Sequence, residues 1–178
     1  MISVNDIVLL LQRTVAEYFA GERKEMLLIL SGSFVIAALA IWLWATTRNG
    51  FATAFAITVI TFAVLLSATA VSLLVRDKEL SSTLVQAIET DRQVSTITAE
   101  RERIGMVLSK YPYYRYAAGV IALIALLGLT FSARGWIHGV AAGLMLMVVA
   151  QVLIDHYSEQ RADNYFQKLS TASCVQSR

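Results

Sequence analysis

Four long runs without a charged residue divide this chain. They lie between Glu25 and Arg48, Arg48 and Arg76, Arg115 and Arg134, and Arg134 and Asp155, and they hold 22, 27, 18 and 20 residues. A helix needs about 20 apolar residues, with a range of roughly 17–25, to cross the hydrocarbon of a bilayer. Lipid offers no partner to a backbone N–H or C=O, so each run predicts a helix whose hydrogen bonds are all internal. The alternating strands of about 10 residues that would mark a membrane barrel do not occur. The spans fall at 26–47, 51–75, 116–133 and 136–155. The longest run is too short for two spans and suits one tilted span with an interfacial end.

The connections between spans one and two and between spans three and four are short. They carry turn residues, Arg48-Asn49-Gly50 and Ser132-Ala133-Arg134-Gly135, and so predict two antiparallel helical hairpins. The expected fold is an all-α membrane protein. It has an N-terminal amphipathic helix (1–24), hairpins at 25–76 and 112–157, a central cytoplasmic helical segment (77–111) and a C-terminal helix and tail (158–178).

The polar stretches carry their own periodicity. Val4, Ile7, Val8, Leu11, Val15, Tyr18 and Phe19 recur at helical spacing behind Ser3 and Asp6, which have capping-box-like separation. A helix lying on lipid would show many Lys and Arg on its polar face. This one has Arg13 beside Asp6 and Glu17, so docking on protein is expected, with Gly21 bending the chain before span one. In 77–110, Leu80, Leu84 and Ile88 form one stripe, and Val94, Ile97, Ile104 and Leu108 another that Arg101 interrupts. As one rod this segment would reach about 50 Å at 1.5 Å per residue. Otherwise it folds back, with a break in the Thr90–Thr98 stretch. It either packs on the N-terminal helix or forms a coiled coil between subunits. The tail is expected to stay helical to near Leu169 and to fray through Arg178.

Charge sets the orientation. Of 15 Lys and Arg, only Arg48 and Arg134 fall in the tight turns. Basic residues stay on the cytoplasmic side, so both termini and the central segment are expected inside, in a bacterial inner membrane. Trp42, Trp44 and Trp136 near the outer ends, and Tyr111, Tyr113, Tyr114 and Tyr116 near the inner end of span three, suit interfacial belts. Pro112 precedes that span, where its missing N–H costs least. The first 25 residues mix four acids with three bases. No basic stretch leads an apolar one, so span one is expected to be an uncleaved anchor.

The second hairpin follows the first at an offset of 85. Val35-Ile36-Ala37 matches Val120-Ile121-Ala122, Gly50 matches Gly135, and Arg76 matches Arg161. Gly135, Gly139 and Gly143 form a small-residue strip on one helix face, and their offset partners are Gly50, Ala54 and Thr58. Such strips serve an oligomer interface or a pore-lining helix. Alternatively they pack within the chain, against span one or three.

Little here suggests chemistry. With 57% apolar and only 16% charged residues, the composition excludes a soluble enzyme, a nucleic-acid-binding domain and a disulfide scaffold, since soluble domains carry roughly a quarter charged residues. The hearts of the first three spans hold no ionisable group, as a proton-driven carrier would require. His138 is expected as a polar interfacial residue. His156 with Asp155, Glu159 and Asp163 could ligate a metal, but two His in the chain cannot build most transition-metal sites. Pairing of that acidic face with Arg76, Arg101, Arg103 or Arg161 is expected instead. An acidic ring concentrating cations in an oligomer is the alternative. Cys174 is the lone cysteine and has no nucleophile–base set around it.

The expected function is therefore non-enzymatic, without cofactor or metal. The protein would act by helix-mediated assembly in the lipid bilayer, as a homo-oligomer or with other membrane subunits. The alternative is a homo-oligomeric channel with span two or span four lining the axis. Its polar face would be Thr58, Thr61, Thr69 and Ser72, or Gln151, Asp155 and Glu159. Threonine and serine also commonly bond their own helix carbonyls.

Overall fold

A computed structural model describes the backbone of residues 4–89 and 93–176, and the side chains of Leu9, 11–87 and 95–171. The described residues are helical almost throughout, without a strand. The helices are α1 (Val4–Thr47), α2 (Gly50–Glu89), α3 (Gln93–Leu108), α4 (Tyr111–Phe131) and α5 (Gly135–Gln176). Helices α1, α2, α4 and α5 carry the stretches long and apolar enough to cross a membrane. Large apolar side chains on them stand in the open: Phe34 is 77% and Phe131 84% exposed. Soluble monomers rarely leave contiguous apolar patches above a few hundred Å². These helices are those of a multi-pass membrane protein.

The breaks between helices follow from local chemistry. Arg48 takes a left-handed backbone (φ 47°), which ends α1. Asn49 then caps α2: its Oδ1 accepts the Ala52 N–H at 2.8 Å. Asn49→Ala should lower stability by about 1 kcal/mol and Asn49→Ser should not. Thermal unfolding followed by circular dichroism checks this. Pro112 occupies the first turn of α4, where no intrahelical N–H is lost.

The chain divides into two compact units. One holds Met1–Glu25, Leu73–Tyr111 and His156–Arg178, and we call it the polar unit. The other, the apolar unit, holds Met26–Ser72 and Pro112–Asp155. In the polar unit Leu11, Val15, Tyr18 and Phe19 of α1 share one core with Leu84 of α2, Ile97 and Ile104 of α3, and Tyr165 and Leu169 of α5. Leu80 and Leu108 both pack against that core, so the 77–110 segment folds back upon it. In the apolar unit Ala40 and Ile36 of α1 meet Ala56, Val59 and Ile60 of α2. A Cβ at Gly128 of α4 would stand 3.4 Å from the Ala141 side chain of α5.

Two expectations change. Helix α1 runs through Gly21 without a break. That residue does not bend the chain. It makes room for Arg161, whose Cδ would lie 3.0 Å from a Cβ there. Helix α5 continues to Gln176, past Leu169. Helix α4 begins at Tyr111, so the tyrosine-rich stretch at the entry of the expected span joins its first turns. The Ser3–Asp6 cap, the side chains of Val4, Ile7, Val8, Ile88, Val94 and Cys174, residues 90–92 and Arg178 lie outside the described residues.

Candidate functional site

The offset of 85 seen in the sequence recurs in the burial pattern. In the apolar unit the buried pairs are Ser33/Ala118, Ala40/Ala125, Ala56/Ala141 and Ala63/Val148. In the polar unit Phe19/Ile104 and Leu84/Leu169 do the same. Helices α2 and α5 also begin at the same offset. The two copies touch through equivalent residues. A Cβ on Gly139 would stand 3.1 Å from the Ala54 Cβ, and one on Gly143 would stand 2.9 Å from the Thr58 Cβ. Contact between equivalent residues is the mark of a two-fold relation. In a parallel pair of helices it needs small residues, because only they let two backbones approach closely.

The small-residue strips are thus filled by each other. The partner of the α5 strip is span two, not span one or three. The strip is also uneven: Gly139 meets the Phe51 carbonyl and Gly143 meets Thr58, while Gly135 has nothing within 4 Å and Gly50 reaches only the Trp136 Cβ at 4.0 Å.

Two buried positions break the two-fold pattern by polarity. Asp155 stands where the first repeat has Ala70, and Asp77 where the second has Ala162; all four are buried. Asp155 accepts the Gln151 amide at 2.9 Å. Glu159 is half-buried in the polar unit. Thr61, Thr69 and Ser72 lie exposed on α2. The hydroxyls of Thr58 and Thr69 donate to Ala54 O and Leu65 O, both at 2.9 Å. His138 is half-buried in the apolar unit. No group of three or more His, Cys, Asp or Glu suited to a metal occurs among the described residues.

The densest chemistry lies in the polar unit, where periodicity did not point. Glu100 is 5% exposed, and both its oxygens accept from Arg103 at 2.7 Å. Tyr18 stacks on Tyr165 with ring centroids 4.2 Å apart and donates to Glu22 Oε1 at 2.9 Å. Burial, then the charge of Glu22, pushes the Tyr18 phenol well above its ordinary value. Burial and then Glu100 do the same to Tyr165. Arg76 pairs with Asp77 at 2.8 Å. Arg161 pairs with Glu25, which also accepts the Ser158 hydroxyl. Arg101 lies 5.3 Å over the Phe166 ring. Arg161, Arg76 and Arg103 thus meet acids of α1, α2 and α3, and Arg101 meets an aromatic ring.

Glu22, Asp77 and Glu100 were missed because charges on an amphipathic helix normally face water, and Tyr18 was read only as part of an apolar stripe. One signal was available. Tyr18 and Glu22 stand four apart on the face that carries Leu11 and Val15, so a charge there had to enter the core. No family model, no curated protein and no solved structure matches this chain.

Proposed function

We propose that this is a non-enzymatic membrane protein that works by helix association, with copies of itself or as a subunit of a larger membrane complex. The apolar unit would lie in the bilayer as two antiparallel hairpins. The polar unit and both termini would be on the cytoplasmic side of a bacterial inner membrane. In that placement the exposed Trp42, Trp44 and Trp136 reach the outer headgroups, and Tyr113, Tyr114 and Tyr116 the inner ones.

The observation that carries the reading is what the apolar unit leaves unfilled. Gly139 and Gly143 are occupied within the chain, but Gly119 on α4 has open space where a Cβ would stand. It lies among the exposed Tyr116, Val120, Leu123 and Leu127. A glycine amid large apolar side chains is a notch that another membrane helix can approach closely. A substrate chamber has less support. The cavity between Ser33, Val59, Phe62 and Gly143 measures about 30 Å³, room for one or two waters, and the larger one beside Thr14, Tyr18, Arg161 and Tyr165 in the polar unit measures about 130 Å³, below the roughly 300–1,000 Å³ of ligand pockets.

The test is the mass of the full chain extracted directly into nanodiscs. The expected result is an oligomer, or co-purifying subunits, with association weakened about tenfold or more by Gly119→Leu and little by Gly119→Ala. A monomer without partners, or a particle that conducts ions with Thr61 or Thr69 lining its pore, would overturn it. Cysteines placed at Arg48 and Arg134 in a Cys174→Ser background should label from outside intact cells.

A further inference from the structure

The basic residues described in the polar unit fall into two groups. In one, each cationic side chain is engaged within the unit. Arg13 and Lys168 meet Glu17, Arg76 meets Asp77, Arg103 meets Glu100 and Arg161 meets Glu25, while Arg101 lies over Phe166. The other group is Arg23, Lys24, Lys78 and Lys110. All four are exposed, and among the described residues no acid pairs with them.

The second group shares its place along the chain. Arg23 and Lys24 of α1 stand just before Met26, where the apolar unit begins. Lys110 stands just before Pro112, where that unit resumes, and Lys78 of α2 follows Ser72, where it breaks off, by six positions. Six helical residues rise about 9 Å. The headgroup layer is roughly 5–7 Å deep on each face of the hydrocarbon, and a Lys or Arg stem lets its charge reach that layer. Carboxylates near these positions are already taken or partly buried. Glu25 and Asp77 hold their arginines, half-buried Glu22 accepts the Tyr18 hydroxyl, and half-buried Glu159 of α5 is engaged as well. Glu79, one position beyond Lys78, is the first exposed carboxylate. Headgroup depth is therefore reached by cations without an internal counter-charge.

We propose that Arg23, Lys24, Lys78 and Lys110 bind acidic phospholipid headgroups, so that the protein carries a shell of anionic lipid at the border of its polar unit. A zwitterionic headgroup brings its own ammonium to its phosphate, whereas an acidic one leaves that charge to the protein. Each cation near an anionic leaflet is worth about fivefold in association. Lipid fits better than an acidic protein because no single helix presents the four. They come from α1, α2 and the turn before α4, and what unites them is their distance from the hydrocarbon. The proposal does not depend on helix association.

Native mass spectrometry of the full chain, released from nanodiscs of equal phosphatidylglycerol and phosphatidylcholine, reads the bound lipids directly. The wild type should retain phosphatidylglycerol over phosphatidylcholine by about fivefold or more. In the quadruple variant Arg23→Gln, Lys24→Gln, Lys78→Gln, Lys110→Gln the ratio should fall toward one. It should be unchanged in Arg13→Gln, which removes an exposed cation roughly three turns from the border. Equal retention of the two lipids by the wild type overturns the proposal, and so does a quadruple variant that keeps the wild-type ratio. A ratio lost equally in Arg13→Gln means a response to net charge alone and overturns it too. If the quadruple variant fails to fold, the wild-type ratio and the double variant Arg23→Gln, Lys24→Gln decide. The oligomer mass in the same spectra tests helix association separately.

Discussion

Gly139→Ala should force α2 and α5 apart and destabilise the apolar unit by about 3 kcal/mol or more, the upper end of the overpacking range. The reason is the identity of the atoms it would meet. A Cβ there falls 2.2 Å from the Phe51 carbonyl oxygen and 3.0 Å from the Phe55 nitrogen. Backbone atoms cannot swing aside as a side-chain end can, so the helices themselves must move. Parting them also removes contacts one turn along, at Gly143 and Thr58. Gly143→Ala is expected to cost less, about 1–3 kcal/mol, because its obstacle is the Thr58 side chain at 2.9 Å. Adding Thr58→Gly, which removes both the Cβ and the Cγ2 that stand at 2.9 Å, should recover part of that loss, which a double-mutant cycle would show as a coupling of about 1 kcal/mol. Gly135→Ala should be harmless, since nothing lies within 4 Å. Unfolding measured on all three in one membrane mimetic is decisive. Glycines that respond alike would mean that α2 and α5 do not meet at this seam.

Arg103→Met carries the second large effect, an expected loss of about 3–5 kcal/mol. The Glu100 side chain is 4% exposed and the Arg103 side chain 27%, so the pair is largely removed from water. Taking away the guanidinium leaves a carboxylate with both oxygens stripped of their 2.7 Å donors. Tyr165 reaches the same carboxylate only at 3.4 Å and is too distant to replace them. Removing both charges, as Glu100→Gln with Arg103→Met, should restore stability to within about 1–2 kcal/mol of the wild type. A buried ion pair owes little of its worth to net attraction, and a broken one is costly because a lone charge remains. Chemical denaturation of the single and double variants tests this. A single variant as stable as the double would sink the idea.

Much of the architecture was legible before any coordinate. The four spans follow from a one-dimensional property, charge-free length, that the bilayer makes decisive. The two turns followed from Asn49-Gly50 and from Arg134-Gly135, where short polar residues interrupt apolar runs. The offset of 85 was visible as Val35-Ile36-Ala37 against Val120-Ile121-Ala122, though few identities carried it, since apolar stretches resemble one another by composition. Less was legible of the site. The strips were readable as strips, but Gly135 and Gly139 have the same sequence credentials and different surroundings. Gly21 read as a bend, because a glycine before a span is usually a backbone feature. It is instead a gap that the Arg161 side chain fills from a helix 140 positions later in the sequence.

The sequence by itself therefore determined which stretches are helical and apolar and where charge collects, because these depend on neighbours within a turn or on transfer from water. The tertiary structure alone decided that the two small-residue strips face each other and that Glu25, Asp77 and Glu100 find arginines. Those outcomes turn on side chains brought together from distant helices, and no local preference encodes which of several chemically equal partners a residue will meet.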